Sequence, residues 1–148
     1  MNPATAQRDS ERGSVSIWII MWTLCILFIA GFGLDLWRGI AVRRSLAEQA
    51  DAAASAGANG IDLDIFRDTG DVVVDPRLAE ALAVENLAAQ GETDLIDEAV
   101  VSVDPATQEV SVTLSGTVEF TLIRIFMTGE PPLAVDVTAT AAPRIGDP

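Results

Sequence analysis

Several side chains that enzymes commonly use are missing or scarce in this 148-residue chain. It contains no His, no Lys and no Tyr, and Cys25 is its only cysteine. The lack of His excludes an imidazole base, and with it Ser-His-Asp and Cys-His catalysis. A single Cys forms neither an internal disulfide nor a cysteine-rich zinc site. We therefore predict that the protein is not an enzyme, with no catalytic residue, no cofactor and no metal.

Positive charge is also scarce, because nine Arg stand against 22 Asp and Glu, for a formal net charge of −13. Proteins that bind nucleic acid present a basic surface to the phosphates. We therefore predict no nucleic-acid partner. The acids are unevenly placed: residues 1–44 hold five Arg and three acids, whereas residues 45–148 hold four Arg and nineteen acids. The sequence thus divides into a mildly basic N-terminal part and a strongly acidic remainder.

A long uncharged run follows a polar tail at residues 1–13. Residues 14–34 contain no ionisable side chain apart from Cys25. As a helix this run would be about 31 Å long, close to the thickness of the hydrocarbon core of a bilayer. We predict a single transmembrane segment, with the lipid bilayer as a partner. Aromatic anchors at the membrane interface are expected at Trp18, Trp22 and Trp37.

A cleaved secretory signal is the nearest alternative to a retained anchor. The run is longer than the usual apolar region of a signal peptide, about 7–15 residues, and the helical pattern continues beyond it. These features favour a retained anchor. Its orientation stays open on charge alone, because two Arg precede the run and three follow it, while a long domain weakens the rule that Arg-rich flanks remain cytoplasmic.

Residues 35–58 are predicted to extend the same helix, because good helix formers dominate and no Pro interrupts them. Apolar or small residues at spacings of three and four share one face of this extension. Small side chains allow another helix or a sheet to approach closely. Two partners for this face remain open: the C-terminal domain of the same chain, or helices of other subunits. The predicted helix-packing face consists of Val42, Leu46, Ala50, Ala53 and Gly57.

Residues 59–148 are predicted to form a small acidic domain. Residues 59–75 are rich in Gly and Asp and predict a loop, after which Asp75-Pro76 begins a helix that Gly91 ends. Beyond it, apolar residues recur at every second position and predict three antiparallel strands, with a turn at residues 105–108 and a bulge at Gly116. Those positions are Val101, Val103, Val110, Val112, Leu114, Val118, Phe120, Leu122, Leu133, Val135, Val137 and Ala139. A second break is expected at residues 129–132.

These elements give an α+β fold. A long N-terminal transmembrane helix continues outside the membrane and packs on a small domain with one further helix and a three-stranded antiparallel sheet.

Two motifs in the acidic loop suggest chemistry that their surroundings do not favour. Asp62, Asp64, Asp68 and Asp71 offer oxygen ligands for calcium, but their spacing differs from that of an EF-hand. Asp68-Thr69-Gly70 spells the triplet of aspartic proteases, which need two carboxylates that share a proton in a buried site. Solvated loop acids are the simpler interpretation of both.

Three stretches around the apolar run resemble a known family. They are Arg12-Gly13-Ser14-Val15-Ser16, then Gly33-Leu34-Asp35 with Arg38, and finally Leu46-Ala47-Glu48-Gln49-Ala50-Asp51-Ala52-Ala53-Ala54-Ser55-Ala56-Gly57-Ala58. Together they resemble the N-terminal region of TadE/TadG-like proteins of Flp (Tad) pilus assembly systems. The resemblance covers about residues 12–58.

The resemblance implies a pseudopilin-like or accessory component of a bacterial cell envelope, held by one membrane span. Its short N-terminal tail would be cytoplasmic and its C-terminal domain extracytoplasmic, and its partners would be other pilus-assembly or pilin-like subunits. Processed members of the pilin group carry Glu five residues after the Gly that precedes cleavage. Counted from Gly13 that position is Trp18, which favours a retained anchor of the TadG-like branch. A membrane-tethered extracytoplasmic binding module, unrelated to pili, is the alternative function.

Overall fold

A computed structural model describes residues 3–91, 93–118, 120 and 133–144, with side chains described from Val15 onward. Within these residues the chain forms three α-helices and three β-strands in an α+β arrangement. The helices are α1 (Pro3–Ala58), α2 (Leu63–Thr69) and α3 (Pro76–Gln90). A short 3-10 turn, Thr93–Leu95, leads to strands β1 (Glu98–Asp104), β2 (Glu109–Val118) and β3 (Leu133–Ala141). The predicted fold class is confirmed.

Helix α1 is the longest element and includes most of the polar tail as well as the apolar run. Its 56 residues correspond to about 84 Å of helix. Near its end the Asn59 side chain donates to the carbonyl of Ser55 (3.1 Å), and the amide of Gly60 donates to the carbonyl of Gly57 (2.9 Å). These bonds occupy carbonyls that have no further helical partner, so the helix ends where the chain turns toward the domain.

Helix α3 has the boundaries that its caps predict. The Asp75 side chain accepts a hydrogen bond from the amide of Arg77 (2.9 Å), and Pro76 occupies the first turn. Gly91 follows the helix with a φ of 75°, a left-handed conformation that Gly adopts without a steric cost. One face of α3 is buried against α1.

The strands form an antiparallel meander in the order β1-β2-β3. The turn at residues 105–108 joins β1 to β2, as predicted, and the pairing Val103↔Val110 sets their register. Strand β2 lies in the centre and carries the alternation predicted for a half-buried strand, with Val110, Val112, Leu114 and Val118 buried. This face of the sheet covers the last turns of α1.

The hydrophobic core lies between α1, α3 and the sheet. Its largest fully buried side chains are Leu46, Leu114, Val110 and Val112. The remaining core positions are mostly Ala, so the helices and the sheet approach closely. The other members are Ala50, Ala53, Ala54, Ala58, Val74, Ala79, Ala83 and Leu87.

Three local expectations need correction. The predicted loop at 59–75 contains α2, because the Asp62 side chain caps its first amides and Gly70 (φ 79°) ends it. The chain therefore has two further helices where one was predicted. No bulge occurs at Gly116, since the register passes through it without a break in the pairing Gly116↔Val135. Gly116 instead lets the Leu95 carbonyl approach the strand, because a Cβ at this position would overlap that oxygen.

The second predicted strand is shorter than expected. β2 ends at Val118, and Phe120 lies outside a strand. Phe120 packs instead near Gly39 of α1. The predicted strand position Leu122 and the predicted break at 129–132 lie outside the described residues.

The close contact at Gly116 yields a stability prediction. We expect Gly116→Ala to lower the free energy of unfolding by about 1–3 kcal/mol, because the new methyl group must displace the Leu95 carbonyl or the Leu46 side chain. Thermal unfolding of the full-length protein in detergent, followed by the circular dichroism of the sheet, measures this change. Gly33→Ala is the matched control, since no atom lies within 4 Å of its added Cβ. Equal unfolding temperatures for the two variants would contradict the packing at Gly116.

Candidate functional site: an exposed apolar helix joined to a packed domain

The N-terminal part of α1 exposes apolar side chains on all sides. Within Val15–Ala58, only 6% of the most apolar window is buried in the fold. A core helix of a soluble domain would instead be mostly buried. The exposed large apolar residues are Val15, Ile17, Trp18, Ile19, Ile20, Met21, Trp22, Leu24, Ile26, Leu27, Phe28, Ile29, Phe32, Leu34, Leu36, Trp37 and Ile40. In the described residues this is the one helix that is long and apolar enough to cross a membrane.

Polar groups inside this segment have partners within the helix. The Thr23 hydroxyl donates to the carbonyl of Ile19 at 2.8 Å. The backbone amides and carbonyls bond along the helix, which is how a chain satisfies them where no water is present. Cys25 is exposed on this segment, as expected for a small apolar residue that faces lipid.

The three tryptophans lie on the surface of α1. Trp18 and Trp22 are 56% and 59% exposed, and Trp37 is 72% exposed. The rise of a helix places Trp18 and Trp37 about 28 Å apart along the axis, close to the thickness of a hydrocarbon core. Their placement is compatible with the predicted role of interface anchors.

Charged residues begin where the apolar segment ends. Asp35 is 3% exposed, whereas Arg38, Arg43 and Arg44 are exposed. Arg44 Nε donates to Glu48 Oε1 at 2.8 Å. The hydrogen bond and the negative charge of Glu48 raise the pKa of Arg44. These four residues, Asp35, Arg38, Arg43 and Arg44, form a charged collar between the apolar segment and the domain.

The predicted helix-packing face lies inside the protein. Leu46, Ala50 and Ala53 are fully buried, and Gly57 is buried as well. Val42 is half-buried at the edge of the core. A Cβ on Gly57 would lie 3.0 Å from Cγ1 of Val110 and 3.1 Å from the carbonyl oxygen of Ala79. The sheet and α3 of the same chain thus occupy this face.

Because the helix-packing face is covered, helices of other subunits do not have access to it. Of the two partners that the sequence left open for this face, the domain of the same chain is the one in contact with it. Helices of other subunits would contact α1 before Val42 or on the opposite face of its later turns, where Ala52 and Ser55 are exposed. The segment before Val42 is exposed, and it includes Gly33, where an added Cβ would have no atom within 4 Å.

The acidic loop forms a structural turn. Asp62 caps α2 by accepting from the amides of Asp64 (2.9 Å) and Ile65 (3.1 Å), and Asp64 pairs with Arg67 (3.2 Å). The described residues bring together no group of three or more His, Cys, Asp or Glu that could hold a metal ion. Calcium at the loop therefore gains no support from the geometry.

The protease-like triplet is the end of α2. The Thr69 hydroxyl donates to the carbonyl of Ile65 (2.9 Å), and Gly70 takes the left-handed cap position. Asp68 is exposed rather than enclosed with a second carboxylate. The triplet thus lacks the buried, paired carboxylates that this chemistry needs.

A small open cavity beside α1 is lined by Ser45, Glu48, Gln49 and Gln90. Gln49 donates to the Ser45 hydroxyl (3.1 Å), and Glu48 is the partner of Arg44. The cavity holds one carboxylate that is already bonded to a guanidinium. It therefore offers no pair of an acid and a base.

Two features of the domain were not predicted. None of the residues of helix α2 is buried, and its apolar residues Leu63, Ile65 and Phe66 are exposed. Gln108, at a φ of 57°, accepts the amide proton of Val74 (2.7 Å) and donates to the carbonyl of Pro105 (2.7 Å). The capping residues Asp62 and Gly70 could have predicted α2 from the sequence. The contact between Val74 and Gln108 could not, because it joins residues 34 positions apart.

Comparison with known proteins finds a family similarity in the N-terminal segment. Neither the curated proteins nor the solved structures include a match to this chain. Residues 13–60 match the family model described as Flp pilus-assembly TadE/G-like, which joins both branches, so the TadG-like branch stays a prediction. The match contains the whole apolar segment of α1 and its buried extension. The similarity to this family thus covers 48 of the 148 residues, about a third of the chain.

Proposed function

We propose that this protein is a non-enzymatic, single-pass membrane component of a Flp-type pilus assembly or secretion system. The proposal rests on the fact that the family match and the exposed apolar helix lie in the same segment. The segment that matches the pilus-assembly family, residues 13–60, is the same helix that exposes apolar side chains on every side. A bilayer is the environment in which such a surface is stable.

The action of the protein would be association, with no chemical step. Its own domain covers one face of α1 from Leu46 to Ala58, so contacts with other subunits would form through the exposed parts of α1 and the surface of the domain. Gly33 lies on the exposed part of α1, and small residues let helices approach closely in lipid. The absence of His from the chain and the single Cys support a role without catalysis.

We propose that the N-terminal tail is cytoplasmic and that the acidic domain lies outside the membrane. The resemblance to the TadE/G-like family supports this orientation. The flanking Arg favour the opposite one, but charge bias has little weight when a domain of about a hundred residues follows the span. The TadG-like branch, with a retained anchor, fits the absence of Glu at Trp18.

Membrane insertion is tested by a charge placed at the centre of the apolar run. Leu24→Arg adds about 3–4 kcal/mol to the free energy of insertion, because Leu24 is exposed on the helix and would face lipid. We expect this variant to be released by alkaline carbonate and to restore fewer surface pili to a deletion strain. Ile40→Arg is the control, since Ile40 is also exposed (66%, against 51% for Leu24) but lies beside the charged collar. If carbonate releases the wild-type protein, the membrane role is refuted. If the deletion strain still makes pili, the pilus role is refuted.

Orientation is tested by labelling single cysteines in whole cells. In a Cys25→Ser background, we expect Thr107→Cys in the exposed β1–β2 turn to react with a membrane-impermeant maleimide. Thr5→Cys in the N-terminal tail should react only after the cells are lysed. The reverse pattern would place the acidic domain in the cytoplasm and would contradict the proposed topology.

Retention of the anchor is tested at the N-terminus of the mature protein. Intact-mass spectrometry of the protein extracted from membranes should show a chain that begins at or next to Met1. A chain that begins at Ser14 would show prepilin-type cleavage after Gly13 despite the missing Glu. A chain that begins after residues 30–33 would instead show that the apolar run is a removed signal.

A further inference from the structure

The domain presents an apolar surface at the end remote from the membrane segment. Leu63, Ile65 and Phe66 on α2 are 56%, 38% and 45% exposed. We propose that α2 is a docking surface for a partner protein that offers an apolar recess surrounded by basic side chains. This inference concerns a different part of the molecule and does not depend on the pilus role.

Helix α2 is held in place by its ends rather than by burial. Seven residues are too few for a helix that is stable in isolation, and no residue of α2 is buried. Its order comes from the Asp62 and Gly70 caps, and from a bridge between Ile61 and Val74 that closes the base of the segment. Three large apolar side chains are thus presented in fixed geometry without contributing to the core.

The base of this segment is closed by backbone hydrogen bonds and is also tied to the β1–β2 turn. The amide of Asp62 donates to the carbonyl of Val73 (2.8 Å), and that of Asp75 donates to the carbonyl of Gly60 (2.9 Å). Gln108 accepts the neighbouring amide of Val74 (2.7 Å). The segment is therefore pre-organised, and a partner that binds it does not have to order it.

The charge around α2 decides which partner fits. Residues 62–75 carry five Asp and one Arg, and that Arg pairs with Asp64. This acidic rim disfavours nucleic acid and anionic lipid. It also disfavours a second copy of the domain, because residues 45–148 carry a net charge of −15. The partner that fits is therefore a protein surface with Arg or Lys around an apolar recess.

Position along α1 also argues against lipid as the occupant. From residue 34 at the end of the apolar run to Ala58 at the end of α1, the helix rises about 36 Å. The bridge between Ile61 and Val74 keeps the base of α2 next to that far end. The apolar side chains of α2 are therefore separated from the membrane by the length of the domain.

Site-specific photo-crosslinking in the producing bacterium tests the proposal on the full-length chain. We expect p-benzoylphenylalanine at position 66, or at position 63, to give an adduct whose partner peptide contains Arg or Lys. The same probe at position 84 is the control, because Val84 is 52% exposed on α3 but lies outside α2. This control should give less than about a tenth of the adduct, as expected if a few central apolar contacts dominate binding.

The contribution of the acidic residues around α2 is tested separately from that of its apolar side chains. Asp68→Lys combined with Asp71→Lys should lower the yield at position 66 at least about tenfold, because it reverses the acidic rim. Glu80→Lys combined with Glu85→Lys on the exposed face of α3 changes the net charge equally and should leave the yield within about twofold. Circular dichroism of both variants checks that each remains folded. The proposal is overturned by an adduct with a second copy, with lipid or with an acidic peptide, by the absence of an adduct, or by equal loss in both charge variants.

Discussion

The packing of the last turns of α1 against the centre of the sheet is the contact on which the rest of the structure depends. It is possible because the facing residues are small. A Cβ on Gly57 would lie 3.0 Å from Cγ1 of Val110, and a Cβ on Gly116 would lie 3.0 Å from Cδ1 of Leu46. Close approach brings Leu46 and Leu114 into one core without large side chains between the backbones. The sheet, α3 and the segment that carries α2 all depend on this contact.

The same helix meets two different environments along its length. Before Val42 its apolar side chains are exposed, whereas from Leu46 to Ala58 its inner face is in the core. No Pro interrupts α1 after Pro3, so the two parts are continuous. The exposed apolar part and the packed part of α1 are therefore joined without a break in the helix.

Elements with local signals were predictable. The Asp75-Pro76 start and the Gly91 end of α3 act within one turn of the helix, and the β1–β2 turn depends on residues 105–108 alone. Helix α2 carried comparable caps at Asp62 and Gly70, but its many Asp favoured a loop. The Gly116 bulge was wrong because Gly in a strand indicates either a bulge or a close approach of another backbone. Only the position of Leu95 distinguishes the two.

The sequence by itself determined the apolar run, the helix that continues from it, the alternating strands and the separation of charge, because each depends on neighbours in the chain. Only the tertiary structure decided that the face from Val42 to Gly57 is covered by the domain of its own chain, since the strands that cover it lie more than fifty residues away. It likewise decided that the side chains of α2 remain outside the core. The bridge between Ile61 and Val74 and the bond from Val74 to Gln108 hold the base of that segment, and neither contact leaves a pattern in the local sequence.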